Sequence, residues 1–572
     1  MATVLGIAAL LFVAWIQLRG GRTVDQPLVA LLPADTPLAV QIHRLSDLLE
    51  AYDASPLAAL IANDIEIGAL LLSQDEFREW RDARAEAELE THLDLGRDFL
   101  IDWMGREVTL AFIPAAGEER LGLVVITQAD LGFKERLAEL VAQLYPGARL
   151  QTTDHRGTSI TTYISGAPRD SLSFCRFGET VALSLRTDST AYLRAIIDAV
   201  RAETPPEQPV FPPPTVPGLH AWVSGERFPA FLRGLGSDMV TAWLASPEGQ
   251  ESMARLAIFE EGRLTYALDD PRVMRLRLSA REGELPASPE VTDWHALTRR
   301  ETLAAIHFEE PVRWWDDLGH LLFDLSPDVD EDWSEERRIR HLAKREWRVR
   351  LGHWLRDEVL PVLDGPATLT VDRIVPRLGL PGVQGALIWE CSDPDALREA
   401  LLPLMSLETT LLLGIDREFI PDWLTRRWTP REVGGVTLHT WQTALGQLGW
   451  AVTDDGLLVT LDDFGDPLTR QLLAGWPSRL DEHGAHRALV SLWGEAPRVG
   501  EIYLHALPLT QLTPMLLLSG DAWGESGQRN LNRIRMANHL FAEYPAIGLA
   551  MQQTGRELSL TLAIASSDEV NH

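Results

Sequence analysis

At 572 residues the chain is too long for a single hydrophobic core, and its 45% apolar and 24% charged residues exclude a disordered polymer. Acidic side chains outnumber basic ones 83 to 52, a net charge of −31 that repels nucleic acid and anionic lipid headgroups. Two cysteines, Cys175 and Cys391, are too few for a disulfide scaffold or a zinc cluster; they read as small buried apolar residues, with a long-range bridge as the alternative.

Residues 3–18 (TVLGIAALLFVAWIQL) are almost wholly apolar and are followed by Arg19 and Arg22. As a helix this run spans roughly 24 Å, close to the thickness of a bilayer's hydrocarbon core. Ile16-Gln17-Leu18-Arg19 lacks the small residues of a cleavage site, so the expectation is an uncleaved transmembrane helix over residues 1–22. The expected location is a single pass of the bacterial inner membrane with the body outside the cytoplasm, on the periplasmic side. The two arginines after the run argue for the opposite orientation.

Beyond this segment the elements recur. Residues 36–43 read as a strand and 45–61 as a helix, an order repeated at 301–308 and 312–325. A glycine at 105 precedes a strand starting at Val108, as Gly365 precedes one starting at Ala367. Residues 122–130 and 385–393 are strand-like runs, each ending at an Asp suited to cap the next helix (133–145 and 395–405). Residues 157–163 match 435–441, and the strands at 181–185 and 457–461 follow turn glycines Gly178 and Gly456. Each half closes with strands near 219–223 and 501–505, then near 258–263 and 547–556.

Residues 204–218 (TPPEQPVFPPPTVPG) read as a semi-rigid proline-rich connector. Residues 327–355 and 75–90 read as charged, solvated helices. The expected organisation is an anchor at 1–22 and a first half with a larger lobe (30–203), a linker (204–218) and a smaller lobe (219–293). A second half follows, with a larger lobe (294–480) and a smaller lobe (500–566). The fold class expected is α+β: two tandem related halves, each with antiparallel sheets covered by helices, preceded by one N-terminal transmembrane helix.

The turn Leu32-Pro33-Ala34-Asp35-Thr36 into a strand, with the later glycine-led strands and Asp-capped helices, resembles an uncharacterised bacterial family of N-terminally membrane-anchored, internally duplicated α+β envelope proteins, a domain of unknown function. The resemblance implies a membrane-tethered protein and brings no functional residues with it.

No phosphate-binding loop, H-E-x-x-H, EF-hand loop, C-x-x-C or nucleophile elbow occurs in the sequence. Catalytic, cofactor-binding and metal-ligating residues are therefore not assigned, and no cofactor is expected. His483 and His486 flank Gly484 and read as loop histidines, with metal ligation as the alternative. His307, Glu309 and Glu310 read as an exposed strand end, with acid–base chemistry by paired carboxylates as the alternative. Asp328-Val-Asp-Glu-Asp332 reads as a solvated acidic run, and Gly524-Glu-Ser526-Gly527 as a surface turn. Trp314, Trp315, Trp347 and Trp354 suggest core packing, or else a surface for a partner or apolar ligand. The expected function is a non-catalytic, membrane-anchored binding or scaffold protein of the cell envelope, with an envelope protein as partner and no nucleic acid. A carrier or chaperone for lipid or another apolar ligand is the alternative, and a hydrolase is a third reading.

Overall fold

The computed structural model describes residues 27–54, 107–128, 149–201, 211–282, 302–312, 354–405, 428–462, 484–506 and 537–571, with short interruptions inside these stretches, and residues 85, 88 and 89. The chain divides into two compact units, Met1–Pro286 with Thr554–Thr561, and Ala287–Gln553 with Leu562–His572.

Unit 1 opens with a short 3-10 turn, Leu28–Leu31, followed by β1 (Leu38–His43), α1 (Leu45–Asp53), β2 (Glu107–Pro114) and β3 (Leu121–Gln128). A meander of β4 (Arg149–His155), β5 (Thr158–Ile164), β6 (Ser171–Phe177) and β7 (Thr180–Leu185) leads into α2 (Ser189–Arg201). Then come β8 (Gly218–Ser224), α3 (Phe228–Gly234), α4 (Asp238–Ala245), β9 (Phe259–Ala267) and β10 (Val273–Ala280). The pairing is antiparallel throughout, in the spatial order β4-β5-β6-β7-β3-β2-β1-β8-β9-β10. The first strand of the unit thus lies in the middle of its sheet.

Unit 2 contains β11 (Ala304–Phe308), β12 (Ala367–Arg377), β13 (Leu380–Glu390), α5 (Pro394–Met405) and the meander β14 (Thr429–Val433), β15 (Val436–Gln442), β16 (Gln447–Val452) and β17 (Gly456–Asp462). These are followed by α6 (Gly484–Trp493), β18 (Arg498–His505) and β19 (Ala546–Thr554); β20 (Glu557–Ala565) and α7 (Ser567–Asn571) end the chain. Its order, β14-β15-β16-β17-β13-β12-β11-β18-β19, is also antiparallel and repeats the first nine places of the unit 1 order. The hairpins correspond too. Arg156-Gly157 and Gly434-Gly435 both turn with positive φ at the two central positions, the geometry that matches the twist of paired strands.

The core of unit 1 forms where alternation along the strands sends Ala39, Ala111, Val124 and Trp222 to one face. Leu193, Ile196 and Ile197 of α2, spaced on one helical stripe, pack there with Leu28, Val29 and Leu31 of the 3-10 turn. Burying each such side chain is worth about 1.5–3 kcal/mol. Phe211, from the proline-rich stretch, is buried against Trp222 with ring centroids 6.1 Å apart. In unit 2, Leu397 and Leu401 of α5 pack on Trp389, Leu457 and Trp450, with Trp354 against their edge.

The expected α+β architecture is overturned. Among the described residues, twenty strands stand against seven α-helices, and the fold is mostly antiparallel sheet. Four of those strands, β4, β6, β14 and β16, are not among the strands expected from the sequence: β4 is polar and largely exposed, β6 alternates over only Ser171–Phe174, β14 contains Pro430, and β16 is short and contains Gly449. They complete both meanders and shift the balance toward sheet. The expected single-pass inner-membrane location is corrected as well, since no helix among the described residues is long and apolar enough to cross a membrane. Residues 1–22, on which that expectation fell, lie outside the described residues. Cys175 and Cys391 are both buried free thiols.

Candidate functional site

Unit 2 concentrates its buried polar chemistry on three neighbouring strands of its sheet, β12, β11 and β18. Residues two apart on a strand share a face, so Ala305, His307 and the following Glu309 point the same way. His307 stands opposite Thr368 on β12 and opposite Glu501 on β18. Its Nδ1 lies 2.9 Å from the Thr368 hydroxyl and its Nε2 lies 3.3 Å from Glu309 Oε1. Glu501 Oε1 is 2.5 Å from Nε2 of His486 on α6, and its Oε2 accepts from Arg498 Nε at 2.9 Å.

Local sequence places each partner. Ala485, His486, Ala488, Leu489, Leu492 and Trp493 form the buried face of α6, so His486 is carried down onto the sheet. A register shift between Arg498 and Gly500 turns Arg498 to the side of Glu501, a common use of a bulge. Arg498 also lies 5.7 Å from the Trp493 ring centre, and His486 packs edge-on to Tyr503 at 5.4 Å. The helix can sit this close because Gly548 on β19 has no side chain: a Cβ there would collide with the Trp493 ring and with Leu489. Each charge in this network has a partner, the condition under which buried ions are tolerated. The imidazoles and carboxylates are sealed, with 0–2% of the His307, Glu309, His486 and Glu501 side chains exposed.

Next to this network, at the ends of β13, β16 and β17, lies an open cleft of about 1290 Å³. Its walls include Asp364, Glu390, His439, Trp450, Asp454 and Asp455. Gly456 makes the shape possible, because its φ of +145° brings the chain so close to β13 that a side chain would run into the Trp389–Cys391 backbone. Burial raises the Glu390 pKa above the ordinary carboxylate range, reinforced by the negative charges of Asp455 and Glu309. Asp364 is shifted the other way, held ionised by the Ser392 hydroxyl at 2.6 Å and the Ser392 amide at 2.8 Å. His439 stacks on Trp450 with centroids 4.4 Å apart, and burial lowers its pKa so that it is neutral at pH 7. Trp428 meets both Trp441 and Trp450 edge-on at 6.2 Å. The indole N–H groups of all three tryptophans are out of water and find no acceptor among the described residues. Arg398, also on the wall, is paired to Asp395 and donates to the Val452 carbonyl. The Cys391 thiol is pushed up by burial and then by Asp364, which suppresses the thiolate.

The equivalent place in unit 1 carries different residues. Gln41 stands where His307 does and His220 where Glu501 does, opposite one another across the β1–β8 ladder. Gln41 donates to Glu107, and His43 Nδ1 lies 4.0 Å from the same carboxylate. His220 hydrogen-bonds the Val216 carbonyl at 2.9 Å and stacks on Trp222. Burial raises the Glu107 pKa and lowers those of His43 and His220.

Two sequence readings are revised here. His307 and Glu309 form a buried pair rather than an exposed strand end, while Glu310 is exposed. His486 is a fully buried helical residue and not a loop histidine. His483, residues 328–332, Ser526, Trp314, Trp315 and Trp347 lie outside the described residues. Among the described residues no group of three or more His, Cys, Asp or Glu side chains is arranged to hold a metal ion. Glu501, Arg498, Glu390 and the tryptophan group were missed. The usable signal was a polar residue inside an otherwise apolar strand, as in Val499-Gly-Glu501-Ile-Tyr503, which demands a buried partner. No protein-family model matches the chain, and no curated protein or solved structure matches it either.

Proposed function

We propose that the chain is a non-catalytic binding or scaffold protein and that it holds its partner in the cleft of unit 2. The observation that carries this reading is a division of labour within the unit. The two histidine–carboxylate pairs, His307–Glu309 and His486–Glu501, are sealed inside the sheet, whereas the cleft open to a visitor is wide and walled by carboxylates together with His439 and Trp450. A carrier for an apolar molecule would call for a lining of the opposite kind, enclosed and free of carboxylates.

The test is affinity capture with the full chain from its native cells, comparing wild type with Asp454→Asn/Asp455→Asn. Both aspartates are exposed, so the substitutions spare the core. The expected result is a stoichiometric protein partner that the wild type retains and the variant loses at unchanged thermal stability. A partner retained equally by both proteins would move recognition away from the cleft.

A further inference from the structure

We infer that unit 1 carries an anion site on its β9–β10 hairpin, where Arg263 and Arg277 together hold a tetrahedral oxyanion of the phosphate class. The inference goes beyond the cleft reading: it concerns the other unit, the opposite charge and different residues.

The ladder brings the two arginines together. Arg263 on β9 stands directly opposite Arg277 on β10, and Arg275 lies two residues from Arg277 on the same face. Side chains opposed in this way start about 5 Å apart, and like charges so placed are destabilising. The usual remedy is a carboxylate, and the chain has 83 acidic residues from which to supply one. Among the described residues, however, neither Arg263 nor Arg277 makes an ion pair or a hydrogen bond. Glu261, on the same face of β9, forms no ion pair with Arg263 and acts on it only through space. Burial lowers the Arg263 pKa; Glu261 counteracts this and Arg277 adds to it, so the guanidinium sits where its charge is under-compensated.

Two further observations are independent of charge. Arg263 Cζ lies 5.8 Å from the ring centre of Trp222, which is fully buried against Phe211, so the fork is held over a fixed plane. Its Nε is shut off from water, but its terminal nitrogens are not, and Arg277 is exposed, so an ion from solvent reaches both guanidinium ends. The repeat then shows that the fold does not require an arginine here. Tyr503 and Gly548 face each other in unit 2 at the positions of Trp222 and Arg263, and there the missing side chain seats α6. In unit 1 the helix α2 packs on β5, β6 and β7 instead. The ligand class follows from the two forks. Each guanidinium can engage a pair of oxygens, which a phosphate offers to both at once and a monocarboxylate to only one. The net charge of −31 disfavours a polyanion, whereas a small ion at the hairpin is screened from distant carboxylates beyond about 8 Å at physiological salt.

The experiment uses the full chain, with inorganic phosphate as the probe and acetate as the planar monocarboxylate control, both at a matched ionic strength of about 0.15 M. Titration calorimetry should show phosphate binding about tenfold or more tighter than acetate. Arg263→Gln/Arg277→Gln should abolish that preference, and Arg149→Gln/Arg487→Gln, which removes the same charge from exposed positions elsewhere, should leave it intact. Thermal unfolding supplies a second readout. In phosphate-free buffer Arg277→Gln should melt no lower than wild type, because it relieves the opposed charges, and it should lose the rise in Tm that phosphate gives the wild type. Equal binding of phosphate and acetate by the wild type, or the same loss in both double variants, would overturn the inference by reducing it to general charge screening. An Arg277→Gln protein that melts lower and still responds to phosphate would also overturn it, because the arginine would then be structural.

Discussion

His307 and Glu501 stand directly opposite each other across the β11–β18 ladder, each with a second ionisable partner of its own, Glu309 for the histidine and His486 for the glutamate. At the same place in unit 1 the facing residues are Gln41 and His220. Both units therefore turn polar in the middle of an apolar sheet face, but only unit 2 does so with a buried acid on the ladder. That carboxylate is tied to a helix, α6, and to the bulge at Arg498.

Removing the Glu501 carboxylate should be strongly destabilising. Glu501→Ala strips His486 and Arg498 of their acceptor, and breaking a buried pair from one side typically costs about 3–5 kcal/mol. The double variant Glu501→Leu/His486→Leu should recover only part of the loss, because it removes the unpaired imidazole but still leaves Arg498 without its acceptor. Denaturant unfolding followed by tryptophan fluorescence checks both; a single variant as stable as wild type would show that the pair contributes nothing.

Glu390 should make unit 2 less stable as pH rises. Its folded pKa lies above the unfolded value near 4.5, so folding favours the protonated form. The associated stability is complete below that value and is lost as pH rises through the folded pKa. Glu390→Gln should thus unfold at a higher temperature than wild type at pH 7, with the difference vanishing toward pH 4. A constant difference across that range would contradict the assignment.

Histidines in unit 1 should work in the opposite sense. His43 and His220 have folded pKa values depressed below 6.5, His43 chiefly by burial and then by Arg44, and His220 by burial, with Arg263 and His43 adding to it. Their neutral forms fit the fold, so the stability they support is present above pH 6.5 and is lost as pH falls through the folded values. Glu107, raised by burial, gains on acidification and partly offsets the loss. His43→Gln/His220→Gln should flatten the decline in stability between pH 6.5 and 5, and Glu107→Gln should steepen it, as read by urea unfolding at each pH.

Gly548→Ala should disturb the seat of α6. The added methyl meets the Trp493 ring, which cannot swing aside as a flexible chain end would, and overpacking of this kind costs about 1–3 kcal/mol. A lowered unfolding midpoint with altered near-UV dichroism is the expected signature. At Gly555, where a Cβ would meet nothing within 4 Å, the strain of Gly555→Ala comes only from its positive φ.

How much of this was readable in the sequence differs from element to element. Strands with apolar runs, such as β1, β3, β7 and β17, announce themselves, and the glycine turns between them are visible too. The Arg149–His155 strand does not, because a polar edge strand shows no period that separates it from a loop. His307 and Glu309 could be placed on one face by their spacing, yet whether that face met water depended on α6 and β18, far away in the chain. The cleft is less legible still. Glu390 ends one strand and Asp455 sits in a turn more than sixty positions later, and only the β13–β17 pairing brings them together. The tryptophans were noticed as a type, but the ones that proved to cluster, Trp428, Trp441 and Trp450, are not those that the sequence had singled out.

The strand order has a kinetic corollary. In each unit the first of the described strands is an interior one: Leu38 pairs with Val223, and Ala304 with Leu504. As the chain leaves the ribosome, β1 can dock on β2 early, but its other edge stays bare until β8 has been synthesised. Loop closure over such separations is slow, and an open apolar edge invites pairing with the wrong chain in the interval. Unit 2 meets the same delay between β11 and β18, so a nascent molecule passes through two such windows, one after the other.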